Sequence, residues 1–368
     1  MHRVLVLGGY GFFGSRICEA LARNPRVQLV IAGRDANKAT ALAYRLGLGG
    51  DRARALDAAD PQLALRLRKL EVGTLIHTVG PFQGQDYTVA RACITARCNY
   101  LDLADGRAFV RGIGTLDVAA KAAGVSVIAG VSSLPALTTA VIDRYREEFE
   151  KLEAIRIGIS SGAVVPGPAT VQAVLGYCGK PIRVLDHGRW TEESGWLDRI
   201  THDFPKPVGP RLLGRCDVPD LDLLPQRYPG VKTVSFHAGF ASETAHKAVE
   251  WLATRVRDGK LRSVAPFAGV LTTIARWIQP VVSDRGGMFV TLEGQLQGAP
   301  HKLTWHLIAR ENHGPNIPCA PAIALAARIA ANAELPRGAM PCMGLLSVDD
   351  VLEPLKGLSI RELPPKTH

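Results

Sequence analysis

Arg3-Val4-Leu5-Val6-Leu7 runs directly into Gly8-Gly9-Tyr10-Gly11-Phe12-Phe13-Gly14 and then into Ser15-Arg16-Ile17-Cys18-Glu19-Ala20-Leu21-Ala22-Arg23. An apolar, β-branched run stops at a cluster of glycines, and a helix-length segment starts behind them. Gly9, Gly11 and Gly14 have the G-x-G-x-x-G spacing in the context that gives it meaning, strand then turn then helix. The first glycine allows a tight turn, the second lets backbone amides approach a pyrophosphate, and the third lets helix and strand pack closely. The helix N-terminus then faces the phosphates with its partial positive charge. Gly9, Tyr10, Gly11, Phe12, Phe13 and Gly14 are therefore expected to form a dinucleotide-binding loop. The competing reading is a glycine-rich turn kept for packing alone.

The same rhythm continues outward. Strand patterns over Gln28–Ala32, Thr74–Thr78, Tyr100–Leu103 and Val125–Ala129 alternate with helical patterns over Asn37–Leu46, Pro61–Leu70, Tyr87–Ala96 and Gly114–Ala123. Strands that are apolar throughout and separated by helices predict a parallel sheet covered on both faces. The fold class is thus α/β, with an N-terminal Rossmann, doubly wound domain over residues 1–130. From 131 to 317 the pattern shifts to a second, α+β domain with a mixed sheet, expected to build the substrate site and a dimer contact. Met288–Leu296 and Lys302–Ala309 read as an antiparallel hairpin joined by Gln297-Gly298-Ala299-Pro300. The proline-rich stretch Trp190–Pro229 reads as loop, and Pro321 opens an Ala-rich helix to Asn332. That helix and the tail, 318–368, are expected to return to the first domain.

The end of the second strand addresses which dinucleotide is bound. NAD-selective sites place an acidic residue ~20 positions beyond the glycines, to hold the ribose 2′-hydroxyl. Here that place is Gly33, followed by Arg34. A guanidinium suits a 2′-phosphate in charge and fork geometry, and Lys38 one turn on adds charge. Arg34 is otherwise a solvated surface cation. Asp35 reads as the N-cap of the next helix. The expected cofactor is NADP(H). Ligands of open α/β sheets bind at the carboxyl ends of the strands. Asp57 is accordingly expected near the adenine, and Val79, Gly80 and Pro81 near the nicotinamide ribose. Ser132 lies on the same rim or, equally, in an ordinary interdomain turn.

Composition agrees with a small anionic ligand. Of 368 residues, 44 are Lys or Arg against 34 Asp or Glu, a formal +10, of which residues 1–130 carry +7. No polybasic run with interleaved aromatics occurs, so nucleic acid is not expected as a partner. Seven scattered Cys without a CxxC pair point to free thiols in a reducing cytoplasm, with no metal site. The greasiest stretch, Val264–Val282, is broken by Pro266 and Pro280 and contains Arg276, so it reads as a buried or amphipathic helix rather than a spanning one. Membrane contact is not expected.

The candidate chemistry rests on few groups. Asp102 and Asp105 follow a strand on the ligand-bearing rim, where a raised carboxyl pKa would suit acid–base work. Alternatively Asp102 caps the turn and Asp105 is structural. Asn312-His313-Gly314-Pro315 follows the hairpin as a polar loop, and His313 is a candidate proton carrier there.

Gly9–Gly14 with Ala32-Gly33-Arg34-Asp35, Gly80-Pro81-Phe82-Gln83, and Tyr100-Leu101-Asp102-Leu103-Ala104-Asp105-Gly106 resemble the NADP-binding half of saccharopine dehydrogenase-like proteins. So do Ser283–Met288, His313-Gly314-Pro315 and Gly338–Gly344, which point to a short branch of that family. The resemblance implies an NADP(H)-dependent oxidoreductase moving hydride to or from a C=N or C=O. Its substrate would be a small amino-acid or polyamine-like molecule bound between the domains of a cytoplasmic homodimer. An enoyl or lipid-type reductase and a non-catalytic NADPH sensor are the alternatives.

Overall fold

The computed structural model describes residues 1–164, 167–278 and 282–367. Two compact units emerge, Met1–Leu137 with Asn316–Leu355, and Thr138–Pro315 with Lys356–His368. No helix among the described residues is long and apolar enough to cross a membrane.

The first unit is built on a parallel sheet. In chain order its strands are β1 His2–Leu7, β2 Val27–Gly33, β3 Ala53–Ala55, β4 Thr74–His77, β5 Asn99–Asp102 and β6 Ser126–Ala129. A seventh, Gly338–Pro341, comes from more than 200 residues later and pairs in parallel with β6. The spatial order is Gly338–Pro341, β6, β5, β4, β1, β2, β3, with connections on both faces, the doubly wound Rossmann arrangement. Val4 to Leu7 are fully buried because helices cover them on either side, and this is why the strand reads as continuously apolar. The helix Ala320–Ala330 packs against the helix Gly14–Leu21 and against β1. Asp35 caps the helix Ala36–Arg45, its Oδ1 accepting from the Lys38 amide at 3.1 Å.

The second unit holds a mixed sheet. Its strands are β7 Lys151–Ser160, β8 Pro181–Asp186, β9 Arg189–Ser194, β10 Ile200–Phe204, β11 Gly209–Arg215, β12 Thr233–Gly239, β13 Gly286–Leu296 and β14 Ala299–Ala309. With Gly338–Pro341 numbered β15, the last strand is β16, Ile360–Thr367, which pairs with β14. β12 and β7 run parallel, and the other pairings are antiparallel. The β13–β14 hairpin closes on Gln297 and Gly298 alone, both with positive φ (52° and 74°). That two-residue turn matches the twist of the flanking strands, so Ala299 and Pro300 belong to the strand.

Two features depart from the sequence reading. Trp190–Pro229 is largely ordered structure, comprising most of β9, all of β10 and β11, and the helix Asp220–Arg227. Most of β9 is exposed on both faces, so it shows no apolar alternation, and the prolines sit at Pro205 and Pro207 in a turn, at Pro210 on an end and at Pro225 inside the helix. The tail is divided: Asn316–Leu355 joins the first unit, while Lys356–His368 joins the second through β16. Backbone pairing to β14, invisible in local composition, decides this. Within Val264–Val282 a helix runs from Ala268 to Ile278, and residues 279–281 lie outside the described residues.

Candidate cofactor and active site

The residues expected to hold a dinucleotide come together along one edge of the first sheet, where its strands end. The Gly8–Gly14 loop follows β1, Arg34 follows β2, Asp57 follows β3, and Val79, Gly80 and Pro81 follow β4. Asp102 ends β5, with Asp105 three residues on, and Ser132 follows β6. Parallel pairing puts all these carboxyl ends on the same side, the side on which such sheets bind ligands.

The glycine loop is built for close approach. A Cβ at Gly14 would stand 2.2 Å from the Gly8 carbonyl oxygen, and one at Gly9 would stand 2.9 Å from both the Val6 carbonyl oxygen and the Ile31 Cγ2. A Cβ at the exposed Gly11 would meet only the Gly8 oxygen, at 3.0 Å, and otherwise open space. Gly9 and Gly14 thus serve the turn and the helix–strand contact, and Gly11 presents bare backbone outward, the division of labour a pyrophosphate requires. Gly8 itself has φ +84°, a conformation that favours glycine. Gly14→Ala is expected to lower the melting temperature by several degrees and to weaken dinucleotide binding. Calorimetry and a fluorescence titration check this. Gly114→Ala, where nothing lies within 4 Å of the added atom, is the control expected to leave both unchanged.

Tyr10 has a role that its position between two glycines did not reveal. Its ring lies against Gly33, where a Cβ would fall 2.5 Å from Cε1, and its hydroxyl accepts from the Asp35 amide at 2.9 Å. It braces the loop against the end of β2, just where Arg34 leaves the sheet. Arg34 is exposed, whereas Lys38 forms a 3.6 Å ion pair with Asp35. Phe12 carries the Arg16 guanidinium over its ring at 4.4 Å, and Phe13 meets Phe12 edge-on. The Val79–Pro81 turn is pinned from within, since Gln85 Nε2 donates to the Val79 oxygen at 2.9 Å and to the Pro81 oxygen at 2.7 Å. Asp57, exposed, accepts from the Ala59 amide, and Ser132 donates its amide to the Gly130 oxygen.

The two carboxylates differ in exposure. Asp102 is fully buried, and its Oδ1 accepts from the amides of Ala104 at 2.9 Å and Gly130 at 2.7 Å. One oxygen thereby ties the β5 turn to the end of β6. Burial pushes its carboxyl up to about 7, although the two amides pull the other way. Asp105 is only partly buried, and Gln83 Nε2 donates to its Oδ1 at 3.2 Å. Desolvation raises its pKa as well. Beside Asp102 stand groups the sequence reading did not single out. The buried His77, its register partner on β4, has Nδ1 3.1 Å from the Tyr100 hydroxyl and is pushed down to about 3 by burial, hence a neutral ring. The only signal for it was a histidine ending an apolar strand. His313 belongs to the second unit, where its Nδ1 accepts from the Ser359 amide at 2.8 Å, which leaves the proton of the neutral ring on Nε2. Among the described residues no group of three or more His, Cys, Asp or Glu is placed to hold a metal.

Residues 4–128 match the family model described as the saccharopine dehydrogenase NADP binding domain. This domain is saccharopine dehydrogenase-like. No curated protein matches the chain in sequence. In structure, the chain is similar to apo saccharopine dehydrogenase (L-Glu forming) from Saccharomyces cerevisiae, at 14% identity and TM-score 0.68 over 100% of both chains. An amine dehydrogenase from Mycobacterium smegmatis aligns over 95% of both chains at 14% identity and TM-score 0.49. GenD2 from gentamicin A biosynthesis, in complex with NAD, aligns over 99% of this chain and 96% of its own at 16% identity and TM-score 0.47. The chain therefore has the fold of saccharopine dehydrogenase, and its N-terminal domain binds a nicotinamide dinucleotide. The glycine cradle described above fits that group.

Proposed function

We propose that the protein is an NADP(H)-dependent oxidoreductase acting on a C=N or C=O carbon of a small amino-acid or polyamine-like substrate. The observation that carries this reading is a single sheet edge bearing both a dinucleotide cradle and a carboxyl held above its ordinary pKa, Asp105. The coenzyme, when bound, donates or accepts the hydride. In this reading the Gly11 backbone and the helix N-terminus behind it take the pyrophosphate, and Arg34 takes a 2′-phosphate. Val79–Pro81 and Ser132 flank the nicotinamide end.

Asp105 is the proposed acid–base group. Partly exposed and raised by desolvation, its carboxyl keeps a proton to higher pH than an ordinary aspartate. It can donate that proton to the nitrogen or oxygen that gains electrons and take it back in reverse. Asp102, buried with Oδ1 engaged by two amides, acts in this reading as the positioning residue of the same turn. His313 is a second proton-carrying candidate, assigned by its fixed tautomer alone.

The test is an absorbance screen for NADPH oxidation with amine and 2-oxoacid mixtures, carbonyls and enoyl compounds. Amine-dependent turnover is expected. Asp105→Asn is expected to lower kcat by about 100-fold, within the range for a lost general acid, with the dissociation constant for NADPH unchanged. Stoichiometric NADPH binding with no turnover across the panel would overturn the catalytic reading in favour of a sensor. Turnover on enoyl compounds alone would overturn the substrate class.

A further inference from the structure

The second unit exposes an apolar groove between the helix Glu243–Arg257 and the helix Ala268–Ile278. Its volume is about 480 Å³, and Trp251, Leu261, Phe267 and Val270 line it together with Arg255 and Lys260. The exposures are unusual for such side chains: Trp251 57%, Phe267 46% and Val270 62%. Trp277, two helical turns beyond Val270 and so on the same side, is 82% exposed. Single exposed apolar residues need no explanation, but a contiguous group with two tryptophans marks an interaction surface.

The charges around it select the partner. Nearby carboxylates are already engaged, Glu250 by Arg199 at 3.0 Å, Glu243 by Lys247 at 2.6 Å and Asp258 by Arg257 at 2.9 Å. Among the described residues no carboxylate pairs with Arg255, Lys260 or Arg262. Arg255 instead lies over the Trp251 ring at 4.7 Å. A second copy of this chain, docked by the same face, would set these cations against their counterparts. An anionic bilayer takes them favourably, with Trp and Phe at the headgroup level and the cationic heads among the lipid phosphates.

We propose that this face docks the protein peripherally on an anionic lipid surface, without spanning it. Phe267, Val270 and Trp277 come from the greasiest stretch of the sequence, Val264–Val282, and Trp251 joins them from the preceding helix. The probe is sedimentation with vesicles of phosphatidylcholine alone or containing about 30% phosphatidylserine. Binding to the anionic vesicles is expected to be at least about tenfold stronger, and to fall as salt rises from about 0.05 to about 0.5 M. Lys260→Glu with Arg262→Glu is expected to weaken it at least tenfold, at about fivefold or more per charge. Val270→Glu with Trp277→Glu is expected to abolish it. Circular dichroism and NADPH titration, expected unchanged, show that both variants fold. Equal binding to the two vesicle types, no binding to either, or a solution dimer split by the Val270→Glu and Trp277→Glu variant overturns the proposal.

Discussion

Arg34→Asp is expected to reverse the coenzyme preference. The wild-type protein should bind NADPH more tightly than NADH by about 10–100-fold, since a guanidinium gripping a phosphate contributes ~1.5–3 kcal/mol. Arg34 follows the last residue of β2 and is exposed. The substitution removes the favourable charge and adds one that repels the 2′-phosphate while accepting from a 2′-hydroxyl. NADPH affinity should fall by about 100-fold or more, and NADH affinity should rise or hold. Fluorescence titration with both coenzymes reads this directly. An unchanged ratio would remove Arg34 from the site and leave the choice to another cation, with Lys38, engaged by Asp35, the next candidate.

The second large effect concerns Asp102. Asp102→Ala leaves the amides of Ala104 and Gly130 without acceptors and opens a cavity at the β5–β6 junction. Two orphaned buried donors at ~1–3 kcal/mol each, with the cavity added, give a loss of about 4 kcal/mol, enough to unfold a marginal domain. Asp102→Asn keeps the Oδ1 acceptor and cannot ionise, so its effect depends on pH. A carboxyl at about 7 in the folded state and ~3.9 in the unfolded chain holds a proton that the unfolded chain releases. Its contribution is therefore present below pH ~4 and declines as pH rises to about 7, by up to about 4 kcal/mol. Relative to wild type, Asp102→Asn should be less stable or equal near pH 4.5 and clearly more stable at pH 8. Urea unfolding at the two values checks the sign.

The comparison with the variant matters because other groups titrate in the same window with the opposite slope. His77, lowered to about 3, and the His202–His306 pair, 3.0 Å apart and each lowered to about 4, are neutral when folded. Each costs stability as pH falls below ~6.5, where the unfolded chain takes up protons first. The wild-type profile alone mixes these terms with those of Asp102 and of Asp220, which is also raised to about 7. The difference between wild type and Asp102→Asn isolates one group.

Local pattern alone revealed five strands of the parallel sheet (β1, β2, β4, β5 and β6), the glycine loop, Arg34 at the second strand's end and the Asp35 cap. Each depends on residues close in sequence: a buried strand is apolar at every position, a cap needs one side chain and one amide three residues on, and the glycine motif spans six residues. The strand Gly338–Pro341 and the strand Ile360–Thr367 were not legible, because each is stabilised by pairing with a partner distant in sequence or by an edge that carries no apolar alternation. The same applies to β9–β11, whose proline-rich, polar composition reads as loop until neighbouring strands supply the hydrogen bonds.

At the site, residue type pointed to the Asp102 and Asp105 turn but could not divide the labour within it. The division proposed for them rests on burial and on two amides converging on one oxygen, quantities that exist only once β5 and β6 lie side by side. Tyr10 against Gly33, His77 beside Tyr100 and the groove between Trp251 and Val270 likewise arise from contacts across chain separations that local sequence does not encode. Side-chain chemistry and short-range periodicity are properties of the chain itself. Exposure, desolvation and the meeting of distant groups are properties of the packed molecule, and they decide which of those side chains can work.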